Sequence, residues 1–278
     1  MEPLVSICIP AYNNGAHIHE TIQSLLDQTY QTIEIVVVDD ASQDDTFEVV
    51  QAVDDPRIRL FRNDANLGMA GNWNRCLHLA TGDYVKVMGA DDLLMPEAIE
   101  KEVKALMEHP TAVLAESNSW IMDMDCNKRG IYGRYWRQGL VDGRRVAKSS
   151  VRTVDLFGAP LANLFPRSIL DRVPGFDPAF VYILDYDFFM SIAALGDIFI
   201  THDLLNAQRI RQDSNTSQVM GGGKERAYIA EHRQLLEKHR AGLGLTRFDI
   251  ALSVLMRRLR SLLVSVFLKL FVRSTGRR

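Results

Sequence analysis

The chain has 278 residues, 47% of them apolar and 24% charged, a balance that suits one large α/β domain, or one domain with a small appendage, around a sizeable core. Its formal charge of -3 argues against a nucleic-acid binder held by overall electrostatics, because such proteins present a basic face. Three cysteines, Cys8, Cys76 and Cys126, are far apart and odd in number, which speaks against a disulfide framework or zinc site and for a reducing, cytoplasmic setting.

Met1-Glu2-Pro3 leads at once into a β-favouring run over 4–9, closed by Pro10, so no export leader is expected. The spacing of Ile18, Ile22, Leu25 and Leu26 predicts a helix over 16–28. A β-branched run over 33–38 suits a strand buried on both faces, and it stops at Asp39-Asp40. Ser42 with Asp45 resembles a capping box for a helix reaching about Val53. A third strand is predicted over 58–61. Asn66-Leu67-Gly68 then turns into a helix with Met69, Trp73, Leu77 and Ala80 on one face, closed by Gly82. A strand over 84–88 precedes Asp91-Asp92, and a helix over 96–109 carries Pro96 in its first turn. Alternation of strands and helices predicts a doubly wound, mostly parallel central sheet flanked by helices.

Past Thr111 the rhythm loosens. A short strand is predicted over 113–115, a glycine- and arginine-rich loop over 132–150, and a helix over 185–195 with Phe188, Phe189, Ile192 and Leu195 facing inward. The simplest division is a main domain over 1–240 and a basic amphipathic helical tail over 241–278. In the tail, Leu255, Leu259, Leu262, Leu263, Val266 and Leu270 recur at helical spacing among arginines. The apolar stretch is shorter than the roughly 20 residues a membrane span needs. Two readings stay open: peripheral membrane contact through 255–278, or packing on the body or a partner chain.

Ligands of open α/β sheets bind beyond the carboxyl ends of strands, and both acid pairs fall there. Capping of a helix N-terminus is the plain alternative for any one aspartate, but two adjacent pairs exceed what capping requires. A hard divalent ion that keeps its waters and a substrate's phosphates uses one or two carboxylates. One acid pair could thus hold a metal on a diphosphate, while the other recognises a nucleobase N–H or a ribose hydroxyl. The absence of a Walker-type loop or G-x-G-x-x-G lowers kinase, ATPase and dehydrogenase readings. At a third acidic station capping suits Asp187 better than Asp185, and a carboxylate near a metal-diphosphate can take a proton from an attacking hydroxyl.

Four segments carry a family resemblance: "VSICIPAYNNGAHIHETIQSLLDQTY", "IEIVVVDDASQDDT", "NLGMAGNWNRCLHLATGDYVKVMGADD" and "GFDPAFVYILDYDFFMSIAALG". Over about residues 4–217 the chain resembles glycosyltransferase family 2. That resemblance implies a GT-A nucleotide-diphospho-sugar transferase fold. It also implies inverting sugar transfer from a nucleotide-diphospho-sugar to a hydroxyl of a glycan or lipid-linked acceptor, as in cell-surface polysaccharide assembly at the cytoplasmic face of the membrane. By position it assigns Pro10, Ala11, Tyr12 and Asn13 to the nucleotide, Asp40 to the base and Asp39 to bracing that loop. Asn66, Gly68, Asn72 and Ala90 fall in the donor-binding segments. Asp91 matches the last acid of the D-x-D element, the contact for Mg²⁺ or Mn²⁺, and Asp185 matches the catalytic base.

Three departures stand out. Gly89 replaces the first acid of D-x-D, Leu184 replaces the glutamate before the base, and Arg211 stands where a late histidine is frequent. An arginine can pair bidentately with phosphate, so Arg211 is a further donor-binding candidate. By location alone, Asn118, Trp120, Tyr135, Trp136 and Arg137 are candidate acceptor contacts. The rival readings are a nucleotide-sugar-binding protein without activity and a sugar-nucleotide pyrophosphorylase, whose glycine-rich basic loop "IPAYNNGAHI" lacks.

Overall fold

The computed structural model describes residues 2–133, 137–153, 155–210 and 224–259. Strand β1 (Val5–Ala11), helix α1 (Gly15–Leu26), β2 (Ile33–Asp39), α2 (Thr46–Gln51), β3 (Ile58–Arg62), α3 (Gly68–Leu79) and β4 (Tyr84–Val87) make the first half. The short β5 (Leu93–Leu94), α4 (Ala98–Glu108), β6 (Ala112–Met122), β7 (Lys128–Tyr132), β8 (Gly139–Asp142) and α5 (Gly143–Arg152) follow. Then come β9 (Asn163–Pro166), α6 (Leu184–Ala193), β10 (Asp197–Arg209) and α7 (Glu225–Leu243), with a final helix over 247–259.

The strands form one sheet in the order β3-β2-β1-β4-β9-β6-β10-β5, with β7 on β6 and β8 on β10. β1, β2, β3 and β4 pair in parallel. β9 is antiparallel to both β4 and β6, so β6 and its parallel neighbour β10 run the same way as β1 and β4. Their carboxyl ends therefore share one edge.

Alternation along the strands assigns their two faces. Ile7, Ile9, Ile35 and Val37 pack with Ile18 and Ile22 of α1 and Ile99 and Val103 of α4. Cys8, Val36 and Val38 pack on the other side with Cys76 and Leu77 of α3, Phe188 and Phe189 of α6, and Leu235 and Leu236 of α7. The expected doubly wound sheet is thus present. A lysine is buried within it: Lys86 is 0% exposed, 2.9 Å from the Glu102 carboxylate, and donates to Leu161 O at 2.7 Å. Burial pushes the Lys86 pKa down and that of Glu102 up.

Local readings need several corrections. Pro10 does not end β1, which runs on to Ala11. The Cys8 carbonyl accepts from Met88 N–H on the β4 side, so Pro10, two residues on, turns its donor-less nitrogen to that side, past the end of β4 at Val87. The Ser42–Asp45 capping box is not formed: Ser42 Oγ accepts from Asn13 N–H at 3.0 Å, and Asp44 accepts from Thr46 N–H at 3.1 Å. Gly82 does not close α3 through a left-handed turn; a Cβ there would sit 2.6 Å from Leu4 O, so close approach to β1 is what requires glycine. The segment 132–150 is not a loop throughout. It contains β8 and most of α5, whose Val146, Ala147, Ser150 and Val151 are buried.

The tail begins as part of the body. α7 runs through residue 240, and Leu243, Leu245 and Ile250 join the same core cluster as α6. Arg152 pairs with Asp249 at 3.0 Å. His232, 0% exposed, has Nε2 2.9 Å from Ser253 Oγ and 2.8 Å from Arg257 Nε. An arginine only donates, so Nε2 accepts and the imidazole is neutral. The inner face of the final helix is packed on the body as far as Arg257, while Leu255 and Leu259 are exposed; Leu262, Leu263, Val266 and Leu270 lie outside the described residues.

Burial and the Arg257 charge hold the His232 pKa down to about 2. Below its ordinary value of 6.5 the unfolded chain takes up a proton that the folded chain refuses. The histidine's contribution is therefore complete above that pH and falls by about 1.4 kcal/mol for each unit of acidification below it. Urea unfolding between pH 7 and pH 5 should show this decline, and His232→Gln should flatten it.

Candidate active site

Two non-glycine turns open the carboxyl edge. Asn13, just past β1, has φ 54°, and Ala41, just past β2, has φ 56°. Such left-handed residues persist when neighbouring groups hold them, and here each turn holds the other. Gln43 N–H donates to Asn13 Oδ1 at 2.9 Å, Asn14 N–H to Thr46 Oγ1 at 2.8 Å, and Gly15 N–H to Asp44 Oδ2 at 3.0 Å. Pro10 and Ala11 are buried beneath, while Tyr12 is 44% exposed at the lip.

Asp39 and Asp40 differ in task. Asp39 is 0% exposed; its Oδ2 accepts from Ser42 N–H at 3.3 Å and lies 3.2 Å from Arg62 Nε. The Asp40 carboxylate accepts from the N–H groups of Leu67 at 2.8 Å and Gly68 at 3.1 Å, and from the Asn63 amide. It anchors the start of α3, and at 2% exposure that differs from the direct base contact expected of it. Asn66, exposed, donates to Asp40 O at 3.2 Å and accepts from Gly68 N–H at 3.0 Å. Gly68, with φ 73°, suits that turn. Asn72 is buried and bridges the strand ends, donating to Val38 O at 3.0 Å and Ala11 O at 3.5 Å. These residues form one interlocked group around the ends of β1 and β2.

A second group lies beyond β4. Ala90 O accepts from Thr21 Oγ1 on α1 at 3.0 Å. Asp92 is 7% exposed and accepts from Arg209 N–H at 2.9 Å; burial and the adjacent Asp91 push its pKa well up. Arg209, at the end of β10, was not singled out by the sequence. Its guanidinium donates to Asp91 O at 2.9 Å, Met124 O at 2.7 Å and Glu20 Oε2 at 2.6 Å. The hydrogen bond from Arg209 lowers the Glu20 pKa. One side chain thereby fixes the acid loop, the β6–β7 turn and α1 together.

For Mg²⁺ or Mn²⁺ the donor set can be tested. Among the described residues no three His, Cys, Asp or Glu gather as a metal cage. Asp91 Oδ1 and Asp92 Oδ2 each stand 2.9 Å from where a Gly89 Cβ would be, so two carboxylates converge on the place of the missing first acid. That fits an ion that takes most of its ligands from phosphates and water, with Asp91 the less buried of the two acids.

Asp185 belongs to a third group. It is half-buried in the first turn of α6 and accepts from Tyr186 N–H at 2.9 Å. α6 has 10 residues, about 15 Å of rise, and feeds the start of β10, which pairs with the start of β6. The amino end of α6 therefore lies toward the carboxyl edge. The flanks of Asp185 are held by α7. Glu231 accepts from Val181 and Tyr182 N–H at 3.1 and 2.8 Å, and Asp187 contacts Lys238 at 2.7 Å and His239 at 2.8 Å. Asp187 is thus an ion-pair anchor, not the cap expected of it. Burial works to lower the Lys238 pKa, but its bonds to Asp177 and Asp187 raise it.

Of the acceptor candidates, Asn118 donates to His202 O at 3.2 Å, Trp120 lies under Lys128 with Nζ 4.6 Å from its ring, and Arg137 O is 3.1 Å from His202 Nε2. Tyr135, Trp136 and Arg211 lie outside the described residues.

Arg209→Ala leaves the partly buried carbonyls of Asp91 and Met124 without this donor, at a cost of about 1 to 2 kcal/mol. Urea unfolding should show that loss, and Arg209→Lys should recover less than half of it, because one ammonium cannot span the same partners.

The profile of glycosyl transferase family 2 matches residues 6–152. An uncharacterised Haemophilus influenzae glycosyltransferase is 30% identical over 77% of this chain and 68% of its own length. An Escherichia coli UDP-Glc:alpha-D-GlcNAc-diphosphoundecaprenol beta-1,3-glucosyltransferase, WfaP, is 37% identical over 42% of this chain and 47% of its own length. The solved structure of Staphylococcus aureus TarS 1-349 with UDP-GlcNAc superposes with a TM-score of 0.66 at 20% identity, covering 85% of this chain and 72% of TarS 1-349. That likeness extends the GT-A fold beyond the segment matched by the profile. The chain belongs to glycosyl transferase family 2 and is a glycosyltransferase of the GT-A fold.

Proposed function

We propose that the enzyme inverts the anomeric centre as it moves a sugar from a nucleotide-diphospho-sugar, first among them UDP-sugars, to a hydroxyl of a glycan or lipid-linked acceptor. The sheet topology supports the reading: the turn at Tyr12–Asn13 and the acid loop at Asp91 follow the ends of the parallel strands β1 and β4, and Asp185 lies in the first turn of α6, the helix that leads back into β10. WfaP, with its UDP-Glc donor and diphosphoundecaprenol acceptor, and TarS, with UDP-GlcNAc, support the substrate classes.

In this reading the exposed Tyr12 and Asn13 meet the nucleotide, with Pro10 and Ala11 forming the floor. Asp40, Asn66, Gly68 and Asn72 hold the strand ends and the start of α3 in shape around it. Asp91, beside Ala90, would hold Mg²⁺ or Mn²⁺, which when bound neutralises charge growing on the leaving diphosphate. Arg211, a donor-binding candidate from the resemblance alone, would add to that neutralisation.

The acceptor oxygen forms a bond to the anomeric carbon as the bond to the diphosphate oxygen breaks. The electron pair leaves with the diphosphate, and the hydroxyl proton goes to the Asp185 carboxylate. Attack from the side opposite the leaving group inverts the centre in one step.

Removing a general base typically costs about 10² to 10⁴ in rate. Asp185→Asn should lose turnover on that scale while nucleotide-sugar affinity, measured by calorimetry, stays within about twofold. A variant with near-native turnover removes Asp185 from the role.

Asp91→Asn should abolish the tightening of UDP binding by Mn²⁺, read by calorimetry without acceptor or turnover. If the native chain binds UDP equally well in EDTA and in Mn²⁺, the metal assignment fails.

A further inference from the structure

The final helix has two unlike faces. Ile250, Ser253, Val254 and Arg257 turn to the body. On the opposite face Phe248 is 73% exposed, Leu252 38%, Leu255 51%, Met256 49% and Leu259 46%. Their spacing of i, i+4, i+7, i+8 and i+11 makes one continuous apolar stripe. Scattered apolar side chains on a surface need no explanation, but a stripe of this kind does.

Charge accompanies it. A cleft of about 680 Å³ between α7 and the final helix is lined by Arg233, Arg240, Arg247 and Arg258, with Glu237 the acid among its lining residues. Arg240 stands 3.8 Å from Glu237. Arg233, Arg247 and Arg258 pair with no carboxylate among the described residues. The sequence beyond 259 continues the bias, with Arg260, Lys269, Arg273, Arg277 and Arg278 and no aspartate or glutamate.

We propose that the outer face of the final helix, with the arginine cleft beside it, docks the protein on the surface of a bilayer containing anionic phospholipid. Apolar side chains flanked by basic ones are what such an interface takes up. A second copy of the chain suits the face less well, because a two-fold contact would bring the same arginines together. Crossing the bilayer is not implied: no helix among the described residues is long and apolar enough. The proposal is independent of the transfer reaction.

The test uses the full chain and sedimentation with vesicles of phosphatidylcholine alone or mixed with phosphatidylglycerol. The native chain should bind the mixed vesicles and release in high salt. Phe248→Ser with Leu255→Ser, and separately Arg247→Gln with Arg258→Gln, should each weaken binding about tenfold. All four side chains are exposed, so thermal melting should match the native protein. Three results overturn the proposal. The native chain fails to bind mixed vesicles, or both variants bind like the native chain, or light scattering shows a dimer that Phe248→Ser with Leu255→Ser dissociates. Displacement from vesicles by millimolar inorganic phosphate, with saturable phosphate binding by calorimetry, would also overturn it in favour of a soluble-phosphate site.

Discussion

The carboxylate of Asp40 sets the geometry where β1 and β2 end and α3 begins. Its two oxygens accept from N–H groups at the start of α3, and its own N–H donates to Ala11 O at 2.8 Å. Charge at a helix amino end is favoured by the unpaired N–H groups and the helix dipole. One residue thus ties the end of β1, the end of β2 and the start of a helix. With that tie in place, Asn72 can bridge the ends of β1 and β2, and the left-handed turns at Asn13 and Ala41 brace each other. Tyr12 is left at the lip because everything behind it is committed.

Much of this was legible in the residues. Strand and helix periods over the first half gave the alternation, and the acid pairs fall at the end of β2 and just past β4. The resemblance named Asp39 as a brace, and its contacts are to Ser42 and Arg62. What stayed hidden depended on long-range partners. Arg209 sits two residues before Arg211 in the late segment that carries the resemblance, but nothing local shows that its contacts reach Glu20, Asp91 and Met124. α5 looked like a loop because it begins at Gly143 and carries Arg144, Arg145 and Lys148. That glycine is required by packing: a Cβ would sit 2.2 Å from Ala193 O. The polar residues lie outward, and the buried face is only a few side chains wide.

The same cause misled the reading of the acidic station in α6. An aspartate in a first turn looks like a cap when only neighbouring residues are in view. Asp187 instead meets a lysine and a histidine about fifty residues later in the chain, on α7. The buried Lys86–Glu102 pair carries a similar lesson. A lysine within an apolar strand does not announce that its partner waits on the next helix. In both cases the charge is stable only because the fold brings opposite charge and backbone carbonyls or hydroxyls to it.

The residues on either side of Asp185 therefore tie the first turn of α6 to the C-terminal helices. Tyr186, buried, accepts from Ser150 Oγ at 2.8 Å and lies under the Arg257 guanidinium at 5.6 Å. Asp187 is held by Lys238 and His239. A carboxylate flanked by two such anchors has little freedom to turn with its helix. The matched family segment ends at residue 152, so Asp185 and its supports lie beyond it, on α6, α7 and the final helix. The final helix also carries the exposed apolar stripe. Its inner face, through Arg257, meets Tyr186, the residue next to Asp185.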